Sequence, residues 1–238
     1  MTRILITGAA SGIGKACAEH YAAQGADLIL IDRDEAGLKA VAGGHEHHAV
    51  DVSDVAFWST NTFGPLDHAV VNAGIGTNGL IKDLSFQAWR KTMAVNLDGA
   101  FLTLQAALRD MKDGGSVVIT ASVTGVKPVP GIAAYASSKA AVIQLAKVAA
   151  LESAPRKIRV NAIAPGGVDT AIWDSPDFAK MVEKMGSRET ALAAMAADTP
   201  MGRFESSEEI ARQIAFLLGP DSGTVTGSVL VTDGGFSL

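Results

Sequence analysis

Tyr135 and Lys139 stand four residues apart in the run Tyr-Ala-Ser-Ser-Lys. In a helix that spacing puts both side chains on one face. An ammonium beside a phenol favours the phenolate and lowers the tyrosine's pKa from its free value near ~10. A tyrosine poised that way can take a proton from an alcohol or hand one to a ketone near neutral pH. Alone, such a pair is more often a packing and surface pair, so chemistry here requires partners from elsewhere in the chain.

The elements that must position the pair alternate along the chain. Short apolar strands are expected at residues 4–7, 27–32, 48–50, 67–72, 116–121, 159–164 and 228–232. Helical patterns fall at 14–24, 35–41, 87–111 (one or two helices), 135–153 and 208–217, with about two turns within 53–64. Continuous apolar strands separated by helices indicate a parallel sheet covered on both faces. The expected fold class is α/β, one Rossmann-type doubly wound domain of about seven strands spanning residues 1–238.

Of the 238 residues, 48% are hydrophobic and 19% charged, enough for a sizeable core and too apolar for disorder. A net charge of −5 with no basic run argues against nucleic acid as the main partner. The single cysteine, Cys17, permits neither an internal disulfide nor a cysteine-based metal site. His45, His47 and His48 cluster without a matching acidic or cysteine ligand set, so they are expected to be surface loop residues and no metal is assigned. No apolar run approaches the ~18 residues of a membrane helix. The first residues already read as a strand, which leaves no room for a signal peptide; the expected home is cytoplasmic.

Thr7-Gly-Ala-Ala-Ser-Gly-Ile-Gly14 lies between the first strand and the first helix. Glycines there let the backbone turn sharply and approach a pyrophosphate, and a helix N-terminus offers unpaired N–H groups and a positive dipole end. Asp32 ends the second strand, eighteen residues past Gly14. Its carboxylate can accept from both adenosine ribose hydroxyls and would repel a 2′-phosphate, favouring NAD over NADP. Arg33 follows directly, and an arginine there can grip a 2′-phosphate.

These motifs, in this order and along the whole chain, resemble the short-chain dehydrogenase/reductase family. The glycine turn matches that family's Thr-Gly-x-x-x-Gly-x-Gly, assigning Gly8, Ser11, Gly12, Ile13 and Gly14 to the cofactor. Asp51-Val52 matches the pair that holds the adenine ring. Asn72-Ala73-Gly74 matches the Asn-Ala-Gly element after the fourth strand, with Val71 where the family has a further asparagine. Pro165, Gly166, Val168 and Thr170 match the segment that wraps the nicotinamide end. The resemblance makes Ser122, Tyr135, Lys139 and Asn96 the catalytic set. Ser122 would hold the substrate oxygen against Tyr135, Tyr135 and Lys139 would also contact the cofactor, Lys139 at the nicotinamide ribose, and Asn96 would hold a water linking Lys139 to solvent. The implied activity is hydride transfer between a secondary alcohol or ketone and NAD, with NADP as the less favoured cofactor.

Residues 168–205 are expected to form a substrate lid, with short helices near 176–185 and 187–197. Ile172, Trp173, Phe178, Met181, Met185, Leu192, Met195 and Met201 suit an apolar or mixed pocket, or simply pack the lid onto the body. Lys180, Lys184 and Arg188 could supply an anion site. The substrate is therefore a small alcohol or ketone, a hydroxysteroid-like molecule or a 3-hydroxyacyl compound. The family implies a homodimer or homotetramer built on residues 87–111 and 135–153. Two alternatives stand beside this reading: an NADPH-dependent 3-oxoacyl-carrier-protein reductase, and a non-catalytic nucleotide-binding regulator.

Overall fold

The computed structural model describes residues 1–174 and 176–238; Ser175, in the expected lid, lies outside them. One parallel sheet runs through the protein in the order β3-β2-β1-β4-β5-β6-β7. Its strands are β1 (Arg3–Thr7), β2 (Asp27–Asp32), β3 (Glu46–Ala49), β4 (Leu66–Val71), β5 (Met111–Thr120), β6 (Arg159–Pro165) and β7 (Val229–Thr232). Successive side chains point to opposite faces, so each apolar strand feeds two cores. Ile4, Ile6, Leu28, Leu30, Val70, Val118 and Ile163 pack under α1 (Gly12–Ala22), α2 (Glu35–Ala42) and α9 (Ser207–Leu218). Leu5, Ile29, Ala69, Val117, Ile119 and Val160 pack on the other face under α3 (Val55–Thr60), α5 (Gly99–Asp110) and α6 (Ala133–Ser153). Each fully buried leucine or isoleucine is worth roughly 1.5–3 kcal/mol relative to exposure. The expected doubly wound parallel sheet is the fold observed.

Helix starts follow local chemistry. Asp34, Asp54 and Ser85 accept from the first-turn N–H groups of α2, α3 and α4 (Phe86–Met93). Ser187 and Ser206 do the same for α8 (Arg188–Ala196) and α9, the latter completing a capping box with Glu209. At α1 the Ser11 side chain makes no cap bond, and that helix end is left open.

Three expectations need correction. The third strand is Glu46–Ala49, not 48–50, so His47 and His48 are strand residues paired with Leu30 and Ile31 on the sheet edge, not loop residues. His48 also lies edge-on to Phe57 and Phe63, which anchors it. The fifth strand starts at Met111, well before residue 116, with an irregularity in its pairing between Leu66 and His68. Arg156, bonded to the carbonyls of Leu108 and Met111 and to Asp113, and Lys112, paired to Asp67, hold that early stretch down. Finally, residues 87–111 hold two helices as allowed, joined by a π-turn, Ala94–Asp98, with the Gly99 N–H donating to the Ala94 carbonyl, but the helical stretch ends at Asp110 and Met111 belongs to β5.

Candidate active site

The strand order reverses between β1 and β4, and at such a point the carboxyl ends of the strands open a crevice. A cleft of about 590 Å³ lies there. Every residue expected to hold the cofactor lines it except Gly14, and so do Ser122, Tyr135 and Lys139. Gly14 is buried just beneath. A Cβ at that position would stand 2.0 Å from the Gly8 carbonyl oxygen, so α1 can start this close to the turn only on a glycine. Asn96 is buried behind the wall.

At one end, the Thr7 hydroxyl accepts from the Asn72 and Ala73 N–H groups at 3.0 and 3.2 Å, tying the tips of β1 and β4 together. The N–H groups of Gly12, Ile13 and Gly14 find no acceptor among the described residues. Three free donors at a helix N-terminus fit an anionic phosphate group. Asp32 is held in place by its neighbours: its carboxylate accepts from the Ala10 N–H and the Asp34 N–H, both at 3.0 Å. Each oxygen keeps a further lone pair, which suits the hydroxyls of a ribose. Asp51 follows on the same side. Burial opposes its charge, but bonds from the Ser53 N–H and hydroxyl and the charges of Arg33 and Lys91 outweigh this, so its carboxyl sits below the usual range. These groups fit the adenosine diphosphate portion of a dinucleotide.

At the other end, Ser122 follows the tip of β5 and caps a short turn, accepting from the Thr124 N–H at 3.2 Å and hydroxyl at 3.0 Å. Gly125 lets that turn lie directly on α6, since a Cβ there would be 2.7 Å from the Lys139 carbonyl carbon. This contact brings Ser122 to Tyr135. Lys139 is buried, its ammonium donating to the Thr120 carbonyl at 2.8 Å. Asn96 accepts from the Ile75 N–H at 2.8 Å and donates to the Ile75 carbonyl at 3.0 Å and to the Ser138 hydroxyl at 3.1 Å. Both of its N–H donors are thus taken; the two bonds with Ile75 pin the loop after β4, where Gly74 faces both Lys139 and Asn96, and the bond to Ser138 ties it to α6.

One electrostatic expectation changes. Burial pushes the Tyr135 phenol above its ordinary value, with the adjacent Ser122 hydroxyl pulling the other way. Burial also brings Lys139 down to about 8. The ammonium stands 5.7 Å from the centroid of the tyrosine ring with one of its three donors on the Thr120 carbonyl, and burial, not its charge, sets the direction of the phenol's shift.

The lid residues divide. Phe178, Ala191 and Leu192 form a small core of their own, joined by Trp173, Met181, Met195 and Phe204. Of the apolar residues expected to shape the pocket, Ile172 alone lines the cleft, reaching across to Gly76. Trp173, Phe178, Met181, Leu192 and Met195 pack against one another within the stretch, while Met185 and Met201 are exposed. Arg188 is no anion site, since its guanidinium bonds Asp169, Asp174 and the Thr170 carbonyl.

The cleft also holds residues that motif spacing did not single out. Ala88, Lys91 and Val95 form one wall, and their spacing of three and four is a helical face legible in principle. Thr120 lies at the foot of the other wall; nothing in a strand-end threonine distinguishes it in sequence.

Comparison with known proteins agrees with this geometry. A family model described as enoyl-(acyl carrier protein) reductase matches residues 8–237. The chain is 38% identical to the 3-oxoacyl-[acyl-carrier-protein] reductase FabG of Thermotoga maritima, over 97% of this chain and 96% of that protein. It is 35% identical to the D-threitol dehydrogenase of Mycolicibacterium smegmatis, over 98% and 92%. The crystal structure of 3-ketoacyl-(acyl-carrier-protein) reductase from Brucella melitensis complexed with NADH superposes with a TM-score of 0.86 at 30% identity, covering 100% of this chain and 98% of that one. The chain therefore belongs to the short-chain dehydrogenase/reductase family, oxidoreductases that work with a nicotinamide cofactor.

Proposed function

We propose that the protein is an NAD-dependent dehydrogenase or carbonyl reductase for a secondary alcohol or ketone, with Ser122, Tyr135, Lys139 and Asn96 as its active site. The observation that carries this reading is the convergence of Ser122, Tyr135 and Lys139 at one end of a cleft whose other end holds the Asp32 carboxylate. The nicotinamide ring, when bound, supplies the hydride donor or acceptor. The side chains do the rest. Ser122 donates to the substrate oxygen and sets it against the Tyr135 hydroxyl. Tyr135 takes the proton of the alcohol in oxidation and returns one to the ketone in reduction. Lys139, fastened to Thr120, contributes positive charge beneath the site. Asn96 fixes the loop that closes over Lys139. Burial raises the tyrosine and the Ser122 hydroxyl offsets part of that rise, an offset to which a cationic ring would add.

Asp32 favours NAD, because its carboxylate, held by the Ala10 and Asp34 N–H groups, keeps acceptors for ribose hydroxyls and would repel a 2′-phosphate. A second reading has its own support: likeness to a 3-oxoacyl-carrier-protein reductase, and Arg33 lining the cleft beside Asp32, favour NADPH and a thioester-linked ketone. The stretch 168–205 serves as the lid over either substrate. The apolar groove of Leu97, Phe101, Leu102 and Leu145 along α5 and α6 suits docking of a second copy. A panel of alcohols and ketones read by nicotinamide absorbance, with both cofactors, tests the assignment. Turnover of secondary alcohols with NAD supports the first reading; activity confined to NADPH and acyl thioesters supports the second. No turnover of any compound, with nucleotide binding intact, would leave a regulatory binding protein.

A further inference from the structure

Three side-chain polar atoms among the described residues are buried without a hydrogen-bond partner: the Thr120 hydroxyl, Glu205 Oε2 and Gln213 Oε1. The last two belong to adjoining side chains, since Gln213 donates to the other carboxylate oxygen of Glu205, and neither residue lines the cleft. Thr120 does line it, although the residue is only 7% exposed. Buried hydroxyls are nearly always bonded, and an orphan in a native protein calls for a partner. Thr120 closes β5 two residues after Val118, hence on the α1 and α9 face of the sheet. Its carbonyl receives the Lys139 ammonium, and Ser122 follows two residues later. The hydroxyl thus sits below the reacting end of the cleft, three strands away from Asp32 on β2. Rotation of χ1 from one staggered well to another exchanges the positions of the threonine hydroxyl and methyl.

Resting on the dinucleotide reading above, we propose that Thr120 is a cofactor-positioning residue whose hydroxyl bonds a polar group of the nicotinamide half, at its ribose or carboxamide. The same residue then serves twice, its carbonyl holding Lys139 and its hydroxyl the cofactor, so that the two keep a set distance.

Thr120→Val keeps the shape and removes the hydroxyl; Thr120→Ser keeps the hydroxyl. Dissociation constants for NADH, ADP-ribose and AMP are measured by calorimetry, with NADPH replacing NADH if the wild type binds that form alone. The expected result is NADH binding about tenfold weaker in the valine variant, one lost hydrogen bond's worth. AMP binding stays within about twofold, and the serine variant regains most of the NADH affinity. A parallel loss for ADP-ribose assigns the contact to the ribose, and its absence assigns it to the carboxamide. Unchanged NADH affinity in Thr120→Val overturns the proposal, as does equal weakening of AMP or a serine variant as weak as the valine. A wild type that binds none of the dinucleotides removes the dinucleotide reading itself, a different failure.

Discussion

The Lys139 ammonium donates to the main-chain carbonyl of Thr120 at 2.8 Å, so the helix that carries Tyr135 is fastened to the tip of the strand that leads to Ser122. The bond holds the two halves of the reacting end in register. It also commits a charge to the interior.

That commitment has a stability consequence. Burial lowers Lys139 from 10.5 to about 8, so the folded protein pays to keep it protonated. The difference corresponds to roughly 3 kcal/mol. The sign follows from a folded pKa below the unfolded one: the penalty is full below pH about 8 and fades as pH rises toward 10.5. Lys139→Met should therefore be more stable than wild type at pH 7, and the gap should narrow between pH 8 and 10.5. Urea midpoints across that range check it; two parallel curves would contradict it.

Tyr135→Phe should lower turnover by about 10²–10⁴-fold while NADH affinity changes far less, because the substitution removes the proton carrier and leaves the other cofactor contacts in place. With burial holding the phenol above its ordinary value, alcohol oxidation in the wild type should speed up as pH rises, while ketone reduction, which needs the phenol protonated, should stay level. Initial rates in both directions from pH 6 to 10 test this. Oxidation that is flat across the range would remove Tyr135 as the titrating base.

Asp32→Ser should move preference toward NADPH. The substitution removes the repulsion of a 2′-phosphate and the acceptors for the ribose, each worth about 1.5–3 kcal/mol for a charged group. The ratio of kcat/KM for NADPH to that for NADH should rise at least about tenfold. Arg33→Ala should shift the ratio the other way. If neither variant moves it, cofactor choice is set elsewhere in the cleft.

Arg188 from α8 binds Asp169, Asp174 and the Thr170 carbonyl and covers the Phe178 ring, gathering the stretch that runs from Thr170 to the lid helices. Its ion pairs are exposed, so Arg188→Leu should cost no more than about 1 kcal/mol in global stability. The substrate KM should rise, and added salt should raise the wild-type KM in the same direction. Thermal melts and kinetics at two ionic strengths separate the effects; a large fall in Tm with unchanged KM would make Arg188 a stability residue only.

What the chain determines by itself is whatever depends on local spacing. Strand apolarity and helical period define the doubly wound sheet, the turn from Gly8 to Gly14 defines the open start of α1, and the four-residue step from Tyr135 to Lys139 defines a shared helix face. Tertiary structure decided the rest. It put Ser122 beside Tyr135 through the close approach of Gly125 to α6, turned Asn96 inward at a π-turn, and drew Trp173, Phe178, Met181, Met195 and Phe204 into a small core of their own. It also buried both members of the Tyr135 and Lys139 pair, raising the phenol's pKa and lowering the ammonium's, with Lys139 bonded to the Thr120 carbonyl. Period and steric rules act over a few residues and can be read along the chain, whereas burial, desolvation and the partner a polar group finds depend on segments distant in sequence that meet only when the sheet and its helices pack.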